Sequence, residues 1–173
     1  MVIWIVGLSG AGKSTVGRKL YDKIRACYPN TVLLDGDNVR QVFAHENPEQ
    51  DYSLAARRKS AERLHGLSLL LDQQGIHVVC CAISMFRDVT ALNRQRFSRF
   101  VEVFMDVPLE VLSERDGKGL YARAQAGLMT YVVGVDLPFE RPQAPEFTFT
   151  NSFTEVDAES YANAVWLAIE GQL

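Results

Sequence analysis

Residues Gly7-Leu8-Ser9-Gly10-Ala11-Gly12-Lys13-Ser14-Thr15 match the pattern G-x-x-x-x-G-K-[ST] with no position missing. That spacing predicts a nucleoside triphosphate site. The glycines let the backbone curl so that successive N–H groups and a helix N-terminus face phosphate oxygens, Lys13 adds a mobile positive charge, and Ser14 is placed to ligate magnesium. An ordinary glycine-rich turn would explain the glycines but not the Lys-Ser pair. A second group, Leu33-Leu34-Asp35-Gly36-Asp37-Asn38-Val39-Arg40, offers two carboxylates and an arginine. Carboxylates there orient a magnesium-bound water or accept a hydroxyl proton, and Arg40 pairs with an acceptor's phosphate. The plain alternative for the two aspartates is a helix N-cap and a turn. The guanine-reading N-K-x-D pattern is absent.

The elements that must hold these groups are legible as alternating patterns. Val2-Ile3-Trp4-Ile5-Val6 is an apolar run suited to a buried strand, and Ser14 to Cys27 reads as a helix, so strand, loop and helix come in the order the phosphate loop requires. Further strands are expected at Thr31 to Leu34, Ile76 to Ile83, Phe100 to Val107 and Phe147 to Thr150. Leu54 to Gln74 predicts a helix with Ala61, Leu64, Leu67 and Leu71 on one stripe, stopped by Gly75. Asp157 to Ile169 predicts a packing helix, with Trp166 in the core. Such alternation implies an α/β phosphate-loop fold: three αβα layers around a mostly parallel five-stranded sheet, with ligands at the carboxyl ends of the strands. Asp116 to Pro145 is rich in glycine, proline and basic residues and interrupts the alternation. It reads as a mobile lid, the alternative being a surface excursion.

The bulk numbers narrow the class. With 173 residues the chain fits one domain, and 47% hydrophobic with 23% charged residues is ordinary for a globular protein. The net charge of −3 gives no general drive toward nucleic acid or an anionic membrane, and no basic stripe with interleaved aromatics appears. Neither partner is expected. Cys27, Cys80 and Cys81 lack metal-ligand spacing and read as core residues. Without a leader pattern or a membrane-spanning run, a cytoplasmic enzyme is the expectation.

Taken with Lys118-Gly119-Leu120-Tyr121, Gly134-Val135-Asp136-Leu137-Pro138-Phe139-Glu140 and Ala144-Pro145-Glu146, these motifs resemble the adenylylsulfate kinase family in order and spacing from Gly7 to Glu146. The resemblance implies transfer of the γ-phosphoryl of ATP to the ribose 3′-hydroxyl of a small activated nucleotide, adenosine 5′-phosphosulfate above all, with Mg2+. It implies that Gly7, Ser9, Gly10, Ala11, Gly12, Lys13, Ser14, Thr15 and Arg115 hold ATP, that Lys13 and Asp35 are catalytic, and that Ser14 and Asp35 meet the metal. It places Asp37, Arg40, Tyr52, Arg57, Ser84, Lys118, Gly119 and Leu120 at the acceptor. The family is commonly dimeric, and the resemblance alone implies a homodimer.

Departures from the family pattern fall on the acceptor side. The family's asparagine, followed two residues later by an arginine pair, becomes Ser60, Glu62 and Arg63. Its Ile-Ser-Pro-Tyr-Arg becomes Ile83-Ser84-Met85-Phe86-Arg87, and its lid Phe-Thr-Gly becomes Val132-Val133-Gly134. An aromatic clamp on the acceptor base is thereby lost, with Tyr131 one residue earlier as the available substitute. In the loop Gln41 to Asp51, His45 and Glu46 have no assignable role, and His45 is expected at the surface. An intact donor side with a changed acceptor side also resembles the branch of cytidine diphosphoramidate kinases found with surface-polysaccharide pathways. A third reading, a catalytically inactive nucleotide-binding regulatory domain, is opposed by the intact Lys13, Ser14 and Asp35.

Overall fold

A computed structural model describes residues 1–44, 51–83, 86–117 and 119–173. Five strands form one fully parallel sheet: β1 (Val2–Val6), β2 (Thr31–Asp35), β3 (His77–Ala82), β4 (Phe100–Met105) and β5 (Phe147–Phe149), in the spatial order β2-β3-β1-β4-β5. All five residues of β1 are buried, as expected of an apolar run covered on both faces at the centre of a parallel sheet. In register, Trp4 lies between Cys80 of β3 and Glu102 of β4.

Helices cover both faces. On one side α1 (Lys13–Cys27) turns Val16, Leu20, Tyr21 and Ile24 inward at helical spacing and packs against α7 (Glu155–Ile169), which buries Ala158, Ala162, Val165 and Ile169. Gly17 fits there because a side chain would collide with Cys81 Sγ. On the other side lie α2 (Gly36–Val42), α3 (Leu54–Asp72) and α4 (Arg87–Arg96); α5 (Leu109–Arg115) and α6 (Leu120–Gln125) follow β4. Ser53 caps α3 by accepting from Ala56 N–H at 3.3 Å, and Thr154 caps α7 by accepting from Asp157 N–H at 3.1 Å. The Thr154 cap sets the start of α7 at Glu155, two residues before the expected Asp157.

Several expectations are corrected. The buried stripe of α3 is Leu64, His65, Ser68 and Asp72, whereas Leu67 and Leu71 are only half-buried. Hydropathy misplaced the stripe because two of its polar members have partners inside: His65 Nδ1 is 2.6 Å from Asn93 Oδ1, and Asp72 accepts from the Ser98 N–H and hydroxyl at 2.6 and 2.7 Å. Cys80 and Cys81 are core residues, but Cys27 at the end of α1 is exposed. Burial pushes the Cys81 thiol up to about 12 and Cys80 well above its ordinary range, so both stay protonated.

The segment 116–145 is more than a surface excursion. It forms α6 and buries Tyr121, Val132 and Val133, at 2%, 2% and 3% exposure, against the main core. Ion pairs tie its far end down: Arg87 to Glu140 at 3.5 Å, and Arg141 to Asp106. Just beyond it, Arg94 pairs with Glu146 at 2.6 Å and with the buried Glu102 at 3.0 Å. No helix among the described residues is long and apolar enough to cross a membrane.

Candidate active site at the strand ends

The phosphate loop runs from the end of β1 into α1. Gly12 sits at φ 92° as the N-cap of α1, a left-handed conformation that leaves the first N–H groups of the helix clear for an anion. A side chain at Gly12 would also collide with the amide nitrogen of Asn151, which donates to Ala11 O at 3.0 Å. Asn151 lies just beyond β5, and it braces the loop from the opposite end of the chain. Lys13 Nζ donates to Leu8 O at 2.7 Å, folding over its own loop. Tyr121 of α6 adds a second brace, its hydroxyl donating to Ser9 O at 2.8 Å. Burial, with the Asp116 charge adding to it, pushes that phenol up to about 12, so it remains a donor at every ordinary pH.

The end of β2 meets the start of α1 through one hydrogen bond. Ser14 Oγ donates to Asp35 Oδ2 at 2.5 Å, while Asp35 Oδ1 caps α2 by accepting from Asp37 N–H at 3.0 Å. Asp35 is therefore the helix N-cap of the plain alternative as well as the partner of the phosphate-loop serine. Its two oxygens and the serine hydroxyl are hard donors, which suits magnesium. Among the described residues no cluster of three or more His, Cys, Asp or Glu could cage a metal. Magnesium keeps several of its waters and takes one or two protein oxygens plus phosphates.

Two cavities flank the loop and share Ser9 and Leu120 on their walls. One, of about 230 Å³, is lined by Gly10, Arg115, Asp116 and Phe153 as well. There the Arg115 guanidinium lies 3.9 Å from the Phe153 ring centroid and presents a flat cationic face. The other, of about 330 Å³, collects Asp37, Arg40, Tyr52, Arg57 and Leu120 from the expected acceptor residues. Thr15 is exposed on the first turn of α1, and Gly119, at φ 61°, starts α6 off the walls of both cavities. Ser84, Lys118, His45 and Glu46 lie outside the described residues.

The larger cavity is built around Tyr52. Arg40 and Arg57 hold their guanidinium carbons 4.8 and 5.6 Å from its ring centroid. Arg40 Nε and Nη1 are buried without a hydrogen-bond partner among the described residues, a costly arrangement for a cation unless an anion arrives. Arg57 is spent differently: Nε donates to Tyr52 O at 3.0 Å and Nη2 to Tyr131 O at 2.7 Å, tying α3 to the segment 116–145. Burial, and then the neighbouring Arg40 charge, lower its pKa from the ordinary guanidinium range. Sequence reasoning missed the cavity's apolar wall of Trp4, Leu64, Phe86, Val89 and Met129. Nothing local distinguishes those residues from ordinary core.

A phosphate loop between β1 and α1, a serine–carboxylate pair at the end of β2, and two cavities meeting at that loop define a phosphate-loop phosphotransferase of the three-layer αβα type. The chain belongs to the adenylylsulphate kinase family, whose model matches residues 1–150. It is 40% identical over 146 residues to an adenylyl-sulfate kinase of Synechococcus, covering 84% of this chain and 81% of that one. Identity is 35% over 143 residues to a cytidine diphosphoramidate kinase of Campylobacter jejuni, covering 83% and 82%. A bifunctional enzyme of Xylella fastidiosa is 44% identical over 147 residues, of which this chain spans only 23% of the length. An APS kinase of Mycobacterium tuberculosis, solved with AMPPNP and APS, superposes with a TM-score of 0.84 at 35% identity, over 98% of this chain and 96% of that one. The chain is thus an ATP-dependent phosphotransferase acting on a small nucleotide.

Proposed function

We propose that this protein transfers the γ-phosphoryl of Mg-ATP to the ribose 3′-hydroxyl of adenosine 5′-phosphosulfate. The observation that carries the reading is the pair of cavities meeting at Ser9, with Arg115 on the wall of one and, on the wall of the other, Arg40, whose buried Nε and Nη1 have no hydrogen-bond partner among the described residues. Donor and acceptor are thereby brought end to end across the phosphate loop, and in phosphoryl transfer such alignment supplies much of the rate.

In this reading the loop N–H groups and Lys13 hold the donor phosphates, and Arg115 stacks on the donor base. Ser14 and Asp35 would hold magnesium, which would supply charge neutralisation on the donor phosphates. Asp35 Oδ2, already accepting from Ser14, takes the acceptor's hydroxyl proton, or would help to hold and orient the metal. Arg40 pairs with the acceptor's anionic tail, while Asp37 and Tyr52 border its sugar and base. Closure of the segment 116–145, with Tyr121 already resting on Ser9 O, excludes water.

A second reading, cytidine diphosphoramidate as acceptor, is favoured by Ser60 and Val132 on the wall of the acceptor cavity, where the family carries an asparagine and a ring. The test is incubation with ATP and each nucleotide, with phosphorus NMR locating the new phosphate. A 3′-phosphorylated adenosine phosphosulfate supports the main reading, and phosphorylation of the cytidine compound alone supports the second. ATP binding without any phosphorylated product would point to a regulatory domain.

A further inference from the structure

Three side chains grip the phosphate loop by its carbonyls: Lys13 Nζ donates to Leu8 O at 2.7 Å, the Tyr121 hydroxyl to Ser9 O at 2.8 Å, and Asn151 Nδ2 to Ala11 O at 3.0 Å. A trans peptide sets its C=O and the following N–H on opposite sides of the chain, and no cis bond occurs among the described residues. Holding Ala11 O therefore points the Gly12 N–H away from Asn151. The asparagine amide stands where a Gly12 side chain would be, so glycine is what lets it reach that carbonyl. Its other end is committed as well: Asn151 Oδ1 accepts from Phe153 N–H at 2.8 Å. Phe153 holds φ 66°, which a bulky residue adopts only where its surroundings impose it, and its ring carries the Arg115 guanidinium. One planar amide thus joins the phosphate loop to the wall of the cavity that Gly10, Arg115 and Phe153 line.

We propose that Asn151 is a positioning residue for the donor phosphates: by fixing Ala11 O it aims the Gly12 N–H at the phosphate chain, and by holding Phe153 it sets that aim relative to the base end of the same site. The inference rests on the loop binding the phosphates of ATP, and it adds a residue from beyond β5 that prepares the loop to do so. Asn151 acts through one peptide and not on the nucleotide itself. Plain bracing is the competing account, in which Asn151 contributes to stability and leaves polyphosphate affinity alone. The two accounts separate because a Gly12 peptide free to turn costs the bound anion one hydrogen bond, and bonds to a charged acceptor are the strong ones.

Asn151→Ser tests this, because a serine oxygen still accepts from the Phe153 N–H, as short hydroxyl side chains do in turns, but is too short to reach Ala11 O. Calorimetric binding of Mg-tripolyphosphate is expected to weaken about tenfold relative to wild type, and binding of Mg-ATP by at least as much. In isotope-labelled protein, saturating Mg-tripolyphosphate is expected to move the Gly12 amide proton downfield in wild type and distinctly less in Asn151→Ser. Asn151→Ala, which loses both bonds, is expected to weaken Mg-ATP further. A tripolyphosphate affinity within about twofold of wild type in Asn151→Ser overturns the proposal whatever the melting temperature, and so does a Gly12 shift equal in both proteins. Should neither variant fold, wild type decides: a Gly12 amide proton moved downfield by Mg-tripolyphosphate supports the proposal, and an unmoved one overturns it. If wild type binds neither Mg-ATP nor Mg-tripolyphosphate, the donor reading of the loop fails first and takes the inference with it.

Discussion

The Ser14 hydroxyl donates to Asp35 Oδ2 at 2.5 Å, joining the phosphate loop to the end of β2 through a single hydrogen bond between residues 21 positions apart. Because Asp35 Oδ1 is engaged at the N-terminus of α2, the orientation of the whole carboxylate is fixed before any nucleotide arrives. Asp35→Asn keeps the size and one acceptor oxygen but removes the charge. Turnover is expected to fall by about 10²- to 10⁴-fold while ATP affinity stays within a few-fold, as measured by steady-state kinetics beside equilibrium binding. Near-normal turnover would refute the role given to Asp35.

Lys13 hydrogen-bonds Leu8 O at 2.7 Å and carries the positive charge of the loop. Lys13→Ala removes charge stabilisation from the transferring phosphoryl group. A loss of about 10²- to 10³-fold in kcat is expected, with the melting temperature close to wild type. A normal kcat with only a raised ATP KM would instead mean that the lysine binds donor and transition state equally.

The two braces on the loop separate stability from chemistry. Tyr121→Phe deletes only the hydrogen bond to Ser9 O, at a cost of about 0.5–1.5 kcal/mol, read as a lower midpoint in urea unfolding. Gly12→Ala is expected to be far worse, since it puts a side chain at φ 92° and against the Asn151 amide. A Gly12→Ala protein that binds ATP normally would contradict the loop geometry.

Much of this site was legible locally. The phosphate loop, the Asp35 group and the five strands are continuous runs whose spacing carries their meaning. Contacts made across the chain were not. Asn151 reaches Ala11 from 140 residues away, and a lone asparagine after a short strand gives no signal. Arg57 reads as an anion-binding arginine, yet two of its donors hold backbone carbonyls, which only the meeting of α3 with residue 131 reveals. The stripe of α3 was misplaced because hydropathy cannot foresee that His65 and Asp72 find buried partners.

Acid should loosen the acceptor side first. Burial pushes the Asp136 carboxyl up, but the Tyr131 and Val132 N–H groups it accepts from outweigh that and bring it below its ordinary value. A carboxylate with a lowered folded pKa contributes fully above the ordinary carboxylate range and loses that contribution as pH falls through the lowered value. Acceptor KM is therefore expected to rise on acidification through that window, while ATP KM follows a different profile. In Asp136→Asn the acid-dependent rise should disappear and acceptor KM should be high at every pH. A KM profile identical to wild type would show that the backbone at Tyr131 holds without the carboxylate.

The most direct test of the account is ATP-dependent kcat/KM measured in parallel for adenosine 5′-phosphosulfate and cytidine diphosphoramidate, because the ratio compares the two transition states on one enzyme. The account predicts 3′-phosphorylation of both or of the first alone, with kcat/KM higher for adenosine 5′-phosphosulfate. A higher value for cytidine diphosphoramidate would contradict the acceptor assignment and turn Ser60 and Val132 into the residues that changed it. No ATP-dependent product from either nucleotide would contradict the ribose-kinase reading itself.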